Sequence, residues 1–280
     1  MKKSTEAKPF LKWVGGKAGL MSQLERFIPK EYNRYFEPFL GGGALFFKLQ
    51  PQKASLNDIN ETLISTYKHI KDNPKKVVAL LKKLETQYFQ SNDEQKNELY
   101  YSIREKYNSS KIGTLNRSVY LMFLNKTGYN GLYRENSTGG FNVPFGRYKK
   151  PAILGNGNTM AVHELLKHAT LTHKPFYEAV KGAKKGDFVY FDPPYHPLNG
   201  TSKFTNYTEH DFTEKDQLKL RDVFRELDKK GCYVMLSNSH SKFIIDIYKG
   251  YRQEIVMASR AINCKAHGRG KIKELVILNY

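Results

Sequence analysis

The sequence predicts an α/β protein with a doubly wound, mostly parallel sheet and a mainly helical insertion. Strand and helix patterns alternate over the first third of the 280-residue chain. Helical patterns then prevail over residues 67–158, and the alternation returns after Thr159. The last two predicted strands follow each other without a helix between them, which favours an antiparallel edge of the sheet.

The first third supplies two strands and three helical segments. Glycines open a helical pattern in GGKAGLMSQLERFIP, and NRYFEPF has the pattern of a short strand. A glycine turn then leads into a helix in GGGALFFKLQ, and KASLNDIN is predicted as a second strand that ends at Asp58. The helix that follows begins after Asn60, because asparagine is a favoured N-cap residue.

The insertion begins with three helical segments, PKKVVALLKKLETQYFQ, EQKNELYYSIREKYN and RSVYLMFLNKTG. The stretch YNGLYRENSTGGFNVPFGRYKKP comes next and is rich in glycine, asparagine, aromatic and basic residues. Its glycines favour a β-hairpin that turns at residues 136–140. We therefore predict one domain formed by residues 1–66 and 159–280, and a second formed by residues 67–158.

The last third restores the alternation. A helix follows Thr159, ATLTHK is predicted as a strand, and another strand over residues 187–191 leads into Asp192. The helix TEKDQLKLRDVFRELDKK, the strand GCYVMLSNS and the short helix KFIIDIYK come next. The closing strands are YRQEIVMA and IKELVILNY.

The composition indicates a polyanionic partner. The chain has 46 lysine and arginine residues against 27 aspartate and glutamate residues, a net charge of +19, and it has 19 tyrosines. A lysine-rich, solvated surface would account for the charge alone. Cations together with stacking aromatic rings are typical of nucleic-acid sites. Charge does not distinguish DNA from RNA.

Targeting signals and metal motifs are not evident in the sequence. The basic N-terminus is not followed by the apolar segment of a signal peptide, and no apolar run approaches the ~20 residues of a membrane span. The two cysteines, Cys232 and Cys264, form neither a metal-ligand pattern nor a disulfide framework. We expect a cytoplasmic protein with no membrane segment and no metal.

The stretch FDPPY carries the most specific chemistry. Two prolines cannot lie in a central strand, so Pro193 and Pro194 end the strand and present Asp192 and Tyr195. The exocyclic amine of a nucleobase is a poor nucleophile because its lone pair is delocalised into the ring. A carboxylate and a proline carbonyl that accept its two N–H bonds would favour tetrahedral nitrogen, and Tyr195 could stack on an extruded base. The alternative is a proline turn that caps a strand.

A second constellation indicates a nucleotide-type cofactor. Glu37 and Phe39 lie at the predicted end of the first strand, and a glycine turn that starts at Gly41 follows. Asp58 ends the next strand, where an acid binds ribose hydroxyls in nucleotide-binding folds. The spacing GxGxxG is absent, which disfavours a nicotinamide dinucleotide. A structural turn with a helix-capping aspartate is the alternative.

Taken in order, the motifs resemble those of the Dam-type, alpha-class DNA adenine-N6 methyltransferases. The resemblance covers nearly the whole chain. The matching segments are FLKWVGGK, FEPFLGGGALFF, NDIN, YNGLYR, FNVPFGRYKKP, FDPPY, FTNYT and LSNS.

This resemblance implies a Rossmann-like sheet that binds S-adenosylmethionine, with residues 67–158 as a target-recognition insertion. It implies methyl transfer to N6 of a flipped adenine in double-stranded DNA, within GATC, by a monomer without a metal. A role in a restriction-modification system and a role in repair or regulation both stay open. So do two other functions: an RNA guanine-N2 methyltransferase, and a DNA-binding protein that has lost catalysis.

The resemblance also implies roles for individual residues. The catalytic residues would be Asp192, Pro193, Pro194 and Tyr195. The cofactor contacts would be Trp13, Lys17, Asp58 and Asp192, and the pattern of the first strand end and its glycine turn adds Glu37, Phe39 and Gly41. Lys12 would read the first guanine, and the other residues that intercalate or read bases would be Tyr129, Asn130, Leu132, Arg134 and Pro144. A basic stretch with Arg260, Lys265, Arg269 and Lys271 is predicted to clasp phosphates or to be a surface loop without a role.

Overall fold

The computed structural model of the chain describes residues 6–155, 157–198, 212–259 and 271–280. Within these ranges, seven strands form one sheet in the order β3-β2-β1-β4-β5-β7-β6. The strands are β1 (Tyr35–Glu37), β2 (Ala54–Asn57), β3 (Ala169–Thr172), β4 (Phe188–Phe191), β5 (Tyr233–Ser239), β6 (Arg252–Ser259) and β7 (Lys271–Leu278). An α/β fold of the predicted class is confirmed.

The helices alternate with the strands, as the sequence predicts, except in the inserted helical region. They are α1 (Met21–Leu24), α2 (Ala44–Leu49), α3 (Glu61–Asp72), α4 (Pro74–Gln90), α5 (Asp93–Ser109), α6 (Leu115–Thr127), α7 (Asn158–Leu166), α8 (Phe176–Ala179), α9 (Glu214–Lys229) and α10 (Lys242–Ile247). Short 3₁₀ turns lie at Lys17–Leu20, Glu25–Phe27 and Tyr129–Gly131. The predicted N-cap is confirmed, since the Asn60 side chain accepts the Leu63 N–H at 2.8 Å.

The sheet is mixed. Strand β1 pairs in parallel with β2 and β4, and β4 pairs in parallel with β5. Strand β7 is antiparallel to both β5 and β6, which confirms the predicted antiparallel edge. Because β1, β4 and β5 run in the same direction, the residues that follow them emerge at one edge of the sheet. The amino end of β7 reaches that edge too, where Glu274 pairs with Ser239.

The central strands are largely buried because helices cover both faces of a parallel sheet. All four residues of β4 are buried, and so are all three of β1. Leu220 and Phe224 of α9 pack in one cluster with Val234 and Leu236 of β5. This packing fixes the strand ends that carry the polar residues described below.

The chain divides into two compact units. The first unit comprises Met1–Gly16, Gly41–Gln50 and Asp58–His173, and the second comprises Lys17–Leu40, Pro51–Asn57 and Lys174–Tyr280. The first unit thus joins the helical insertion to the glycine turn and to Asp58. The functional division between a catalytic part and a recognition part at residues 66/67 and 158/159 stays a prediction.

The predicted hairpin of the insertion forms a tight turn held by isolated bridges. Asn136 donates its N–H to the Gly140 carbonyl at 2.8 Å, and a single antiparallel bridge joins Glu135 to Phe141. A second bridge joins Gly128 to Phe145. The turn therefore forms at the predicted residues without regular strands on its two sides.

No helix in the described parts of the chain has the length and apolar character needed to cross a membrane. Within the same ranges, His, Cys, Asp and Glu do not gather in groups of three that could hold a metal ion. Cys232 is buried with a free thiol. Cys264, Arg260, Lys265, Arg269 and the FTNYT segment lie outside the described residues.

Candidate functional site

The FDPPY motif lies at the carboxyl end of β4, in the second unit. Asp192 follows the strand directly, and one of its carboxylate oxygens is 2.8 Å from the Lys17 ammonium. The Lys17 side chain is only 7% exposed and that of Asp192 is 19% exposed. The sequence predictions for these two residues concerned the cofactor and the amine. Their ion pair is evident only in the structure.

The electrostatics of Asp192 combine two opposed effects. Burial raises the pKa of its carboxyl group, because a charged group loses water there, and the Lys17 cation lowers it. Lys17 thus favours the ionised carboxylate in a position where burial favours the protonated form. An ionised carboxylate is a hydrogen-bond acceptor on both oxygens, which is the chemistry that the amine hypothesis requires.

Tyr195 is held at two places. Its hydroxyl donates to the Glu274 carboxylate at 2.8 Å, and the Lys17 ammonium lies 4.6 Å from the centre of its ring. Burial raises the pKa of Glu274, whereas Lys17 and the Tyr195 hydroxyl lower it. Burial also raises the pKa of the Tyr195 phenol, so the hydroxyl keeps its proton and donates it. The Lys17 cation therefore interacts with the carboxylates of Asp192 and Glu274 and with the ring of Tyr195.

Buried amides hold the chain after Asp192. Gln217 of α9 donates to the Pro194 carbonyl at 2.9 Å, and Asn238 of β5 donates to the Gln217 side-chain oxygen at 3.1 Å. Asn238 in turn accepts the backbone N–H of His196 at 3.1 Å. Both amide side chains are fully buried. The LSNS segment, which contains Asn238, is thus a support for the FDPPY loop.

The carbonyls of the two prolines differ. That of Pro194 is occupied by Gln217, whereas no donor in the described parts of the chain reaches the carbonyl of Pro193. A proline carbonyl without an internal donor suits the sequence hypothesis that Pro193 accepts from a substrate amine. Its role stays a prediction.

Two other predicted cofactor residues are packed within the second unit. Glu37 is 2% exposed, and its carboxylate accepts the Tyr35 hydroxyl at 2.8 Å. The Phe39 ring stacks on Phe176 with 5.3 Å between ring centres. Residues i and i+2 of a strand share a face, which is why the Tyr35 hydroxyl reaches Glu37. Contact of Glu37 and Phe39 with a cofactor stays a prediction.

The glycine turn and Asp58 meet in the first unit. One Asp58 oxygen accepts the Gly41 N–H at 2.8 Å, and the other accepts the Asn60 N–H at 2.9 Å. Gly41 has a φ of 48°, and a Cβ added there would lie 2.8 Å from the Trp13 indole. Glycine is therefore required both for the backbone conformation and for the close approach of Trp13. Burial raises the pKa of Asp58, and the two backbone donors lower it.

Trp13 is a half-buried platform in this cluster. Its indole stacks on Tyr133, with 4.9 Å between ring centres and 22° between ring planes. Trp13, Gly41 and Asp58, which are far apart in the sequence, are thus brought together. The structural alternative for Asp58, a turn and helix-start aspartate, is also realised in these hydrogen bonds.

The predicted base-reading residues share one surface of the first unit. Tyr129, at the end of α6, is 53% exposed, and its backbone N–H donates to the Pro144 carbonyl at 2.9 Å. Asn130 has a φ of 54°, and its N–H donates to the Tyr148 hydroxyl at 2.9 Å. Leu132 is half-buried and Pro144 is exposed.

Arg134 and Lys12 belong to the same surface. The Arg134 Nε donates to the Asn142 side-chain oxygen at 2.7 Å, and its Nη2 donates to the Asn142 backbone carbonyl at 3.2 Å. Asn125 exchanges two hydrogen bonds of 2.8 Å with the backbone of Lys12, and its amide also donates to the Gly131 carbonyl at 2.9 Å. Lys12, remote in sequence, is thereby joined to the recognition segment.

Comparison with known proteins identifies the family of the chain. Residues 13–262 match the family described as D12 class N6 adenine-specific DNA methyltransferase. The chain belongs to this family. It is 42% identical to the "Type II methyltransferase M1.LlaDCHI" of Lactococcus lactis subsp. cremoris, over 100% of this chain and 98% of that protein. It is 34% identical to a "DNA adenine methylase" of Escherichia coli (strain K12), over 96% of this chain and 94% of that protein.

Membership of the D12 class confirms the resemblance, the fold class and the enzyme class predicted from the sequence. The protein is an adenine-specific DNA methyltransferase, and DNA is the substrate that this class implies. DNA methyltransferases generally use S-adenosylmethionine. The alternative of an RNA guanine-N2 methyltransferase is not supported by this family.

Several residues in contact with the candidate site residues are not marked by any motif in the sequence. Glu274, Gln217 and Asn125 act through contacts between distant segments, and no local motif marks them. Asn142 and Tyr148 lie inside the FNVPFGRYKKP segment, but their partners are set by the fold. The sequence does give one indication of the position of Glu274. It directly precedes the apolar run Leu275–Leu278, which is buried.

Proposed function

We propose that this enzyme transfers the methyl group of S-adenosylmethionine to N6 of adenine within GATC in double-stranded DNA, after turning the adenine out of the helix. The observation that carries the proposal is the Asp192 carboxylate at the end of β4, 2.8 Å from the Lys17 ammonium and three residues before an anchored Tyr195. Extrusion is required because N6 is not accessible to such a site inside the stacked duplex.

Several of the residues proposed as cofactor contacts carry groups that suit an adenosyl moiety. In the first unit, the Trp13 indole offers a stacking face, and Asp58 has further lone pairs for hydroxyl groups beyond its two backbone contacts. In the second unit, Lys17, Glu37, Phe39 and Asp192 are the proposed contacts. When bound, the cofactor supplies a sulfonium methyl group that is already activated. Since its leaving thioether is neutral, the reaction needs no metal.

Asp192 and Pro193 would prepare the amine. Each offers an oxygen that can accept one N–H bond of N6, which favours the tetrahedral geometry that the nitrogen must reach. Pro193 has a carbonyl and no N–H, so it presents an acceptor without a competing donor. Asp192 does not have to be a strong base, because the proton can leave after methyl transfer.

The recognition surface supports GATC as the target. Arg134 can donate to N7 and O6 of one guanine, and Lys12 can donate to another. GATC reads the same on both strands and has one guanine in each, which suits two separate guanine readers. Tyr129, exposed beside the turn at Asn130, would wedge into the stack, and Leu132 and Pro144 would contact the thymine methyl group.

The relatives bear on the biological role. One is named a type II methyltransferase and another a DNA adenine methylase, so a place in a restriction-modification system and a separate regulatory or repair role both stay open. A monomeric state and a cytoplasmic location stay predictions.

The test is to map methylated sites genome-wide in a host that lacks adenine methylation, with the Asp192→Ala variant as control. We expect N6-methyladenine at GATC with the parent protein and none with the variant. The variant should still bind duplex DNA, because the carboxylate acts on the amine and not on phosphates. Methylation of another motif would overturn GATC, and normal methylation by the variant would overturn the role of Asp192.

A further inference from the structure

We propose that Glu274 is a positioning residue for methyl transfer, because it fixes the ring of Tyr195 against which the extruded base stacks. The proposal rests on the proposed function of Tyr195. Glu274 itself would act through Tyr195 and not on the reacting atoms.

The geometry gives the Tyr195 ring a contact at its tip and another on its face. The hydroxyl at the tip donates to Glu274 at 2.8 Å. One face of the ring lies toward the Lys17 ammonium, 4.6 Å from the ring centre. A phenolic hydrogen prefers the plane of its ring, so the acceptor restrains the ring plane as well as the tip. The face opposite Lys17 is then the one on which a base would stack.

The backbone on each side of Tyr195 is held independently of Glu274. Gln217 binds the Pro194 carbonyl at 2.9 Å, and Asn238 binds the His196 N–H at 3.1 Å. These contacts fix the position of the Tyr195 Cα but leave its side-chain torsions to be set. Within the described residues, the hydrogen bond to Glu274 and the ring contact with Lys17 restrain them.

The acceptor is itself rigid. Glu274 lies in β7 directly opposite Ser239 of β5, and it also pairs with Val256 of β6. The four residues after it, Leu275–Leu278, are buried in the core. The Glu274 carboxylate accepts the hydrogen bond from the Tyr195 hydroxyl. When a carboxylate is ionised, such a bond is about twice as strong as one between neutral groups. Lys17 opposes the rise that burial causes in the pKa of Glu274.

The experiment compares Glu274→Leu, Glu274→Gln and Tyr195→Phe with the double variant Tyr195→Phe/Glu274→Leu. The measurements are the single-turnover rate of adenine methylation on a GATC duplex, the Kd for that duplex and the Kd for S-adenosylmethionine. We expect Glu274→Leu and Tyr195→Phe each to slow the rate by about tenfold, the scale of one lost hydrogen bond. The double variant should be no slower than either single variant, because both changes remove the same bond.

Two controls separate positioning from stability. Glu274→Gln keeps an acceptor oxygen, so we expect it to recover most of the rate. Tyr251→Phe deletes another tyrosine–carboxylate bond of the second unit, from Tyr251 to Asp228 at 3.0 Å, and should leave the rate at the parent value. The two Kd values should stay within about twofold of the parent in all variants, since positioning acts on the chemical step.

The proposal is overturned if Glu274→Leu methylates at the parent rate, or if the two single effects multiply in the double variant. If Glu274→Leu does not fold, a Tyr195→Phe variant slowed about tenfold beside a Glu274→Gln variant close to the parent rate supports the proposal, and a Tyr195→Phe variant at the parent rate overturns it. Failure of the proposed function would look different: the parent would not methylate adenine, or Asp192→Ala would remain active.

Discussion

At the scale of single residues, the charge on Asp192 depends on its neighbour Lys17. Burial raises the pKa of Asp192 above the ordinary aspartate value of about 3.9, and Lys17 at 2.8 Å lowers it. Methyl transfer requires the ionised form as acceptor. The rate should therefore fall on the acid side as pH drops through the pKa of Asp192.

Lys17→Met should move this acid limb to higher pH. Loss of the cation removes the interaction that lowers the pKa of Asp192, so the carboxylate takes up its proton at a higher pH. The measurement is kcat against pH at saturating cofactor and DNA, and Lys17→Arg is the matched variant that keeps the charge. An acid limb that stays in place or moves to lower pH in Lys17→Met would contradict the assignment.

Asp58 has a structural role and a proposed cofactor-binding role, and a single substitution would remove both. Asp58→Ala should weaken S-adenosylmethionine binding by about 1.5–3 kcal/mol, the scale of hydrogen bonds to a charged group. It also removes the acceptor for the Gly41 and Asn60 N–H groups, so its Tm should fall. Asn60→Ala removes the N-cap contact to Leu63 and is the stability control. Equal cofactor affinity in Asp58→Ala and the parent would place Asp58 outside the cofactor site.

Arg134 is the residue whose loss should change specificity most. Arg134→Ala should cost about 1–3 kcal/mol of discrimination at one guanine, with a smaller effect on nonspecific binding. Asn142→Ala keeps the guanidinium but removes its side-chain contact of 2.7 Å, so a smaller loss at the same guanine is expected. Methylation rates on duplexes with each single base substituted give both numbers. An even loss over all duplexes would identify Arg134 as a phosphate contact.

At the scale of elements, β5 and α9 fix the FDPPY loop through Asn238 and Gln217. Asn238→Ala leaves the buried Gln217 oxygen and the His196 N–H without their partner, and should lower the free energy of unfolding by about 1–3 kcal/mol. It should also slow methyl transfer. Gln253→Ala removes two bonds of 3.1 Å from its side chain to the carbonyls of Ile245 and Tyr248, neither of which belongs to the FDPPY motif. It should destabilise without slowing transfer, and an equal effect of both on the rate would refute the support role.

At the scale of the whole molecule, the net charge of +19 should dominate the affinity for DNA. Lysine and arginine residues that bind phosphates release counterions, so log K should fall linearly with log salt concentration. Binding to a duplex without GATC, measured from low to physiological salt, gives the slope. Lys271→Gln at the start of β7 should make the slope less steep if this basic stretch contacts phosphates. A slope near zero in the parent would contradict a phosphate-dominated interface.

The sequence by itself determined the α/β class, the helical insertion, the antiparallel edge and the enzyme family. The first three follow from local patterns, because hydrophobic periodicity, the Asn60 cap, the glycine turn and the prolines of FDPPY each depend on residues close together in the chain. The approximate ends of most elements follow for the same reason, because capping and turn residues act locally. The family follows from the resemblance of the motifs taken in order.

Only the tertiary structure decided which side chains meet. The ion pair of Lys17 with Asp192 and the bond of Tyr195 to Glu274 join segments far apart in the chain, and they depend on strand order and register. A shift of one residue in β7 would turn Glu274 to the other face of the sheet. No local pattern in the sequence sets that register. It is set by the packing of the whole core, which is why the partners of Tyr195 and Asp192 could be learned only from the fold.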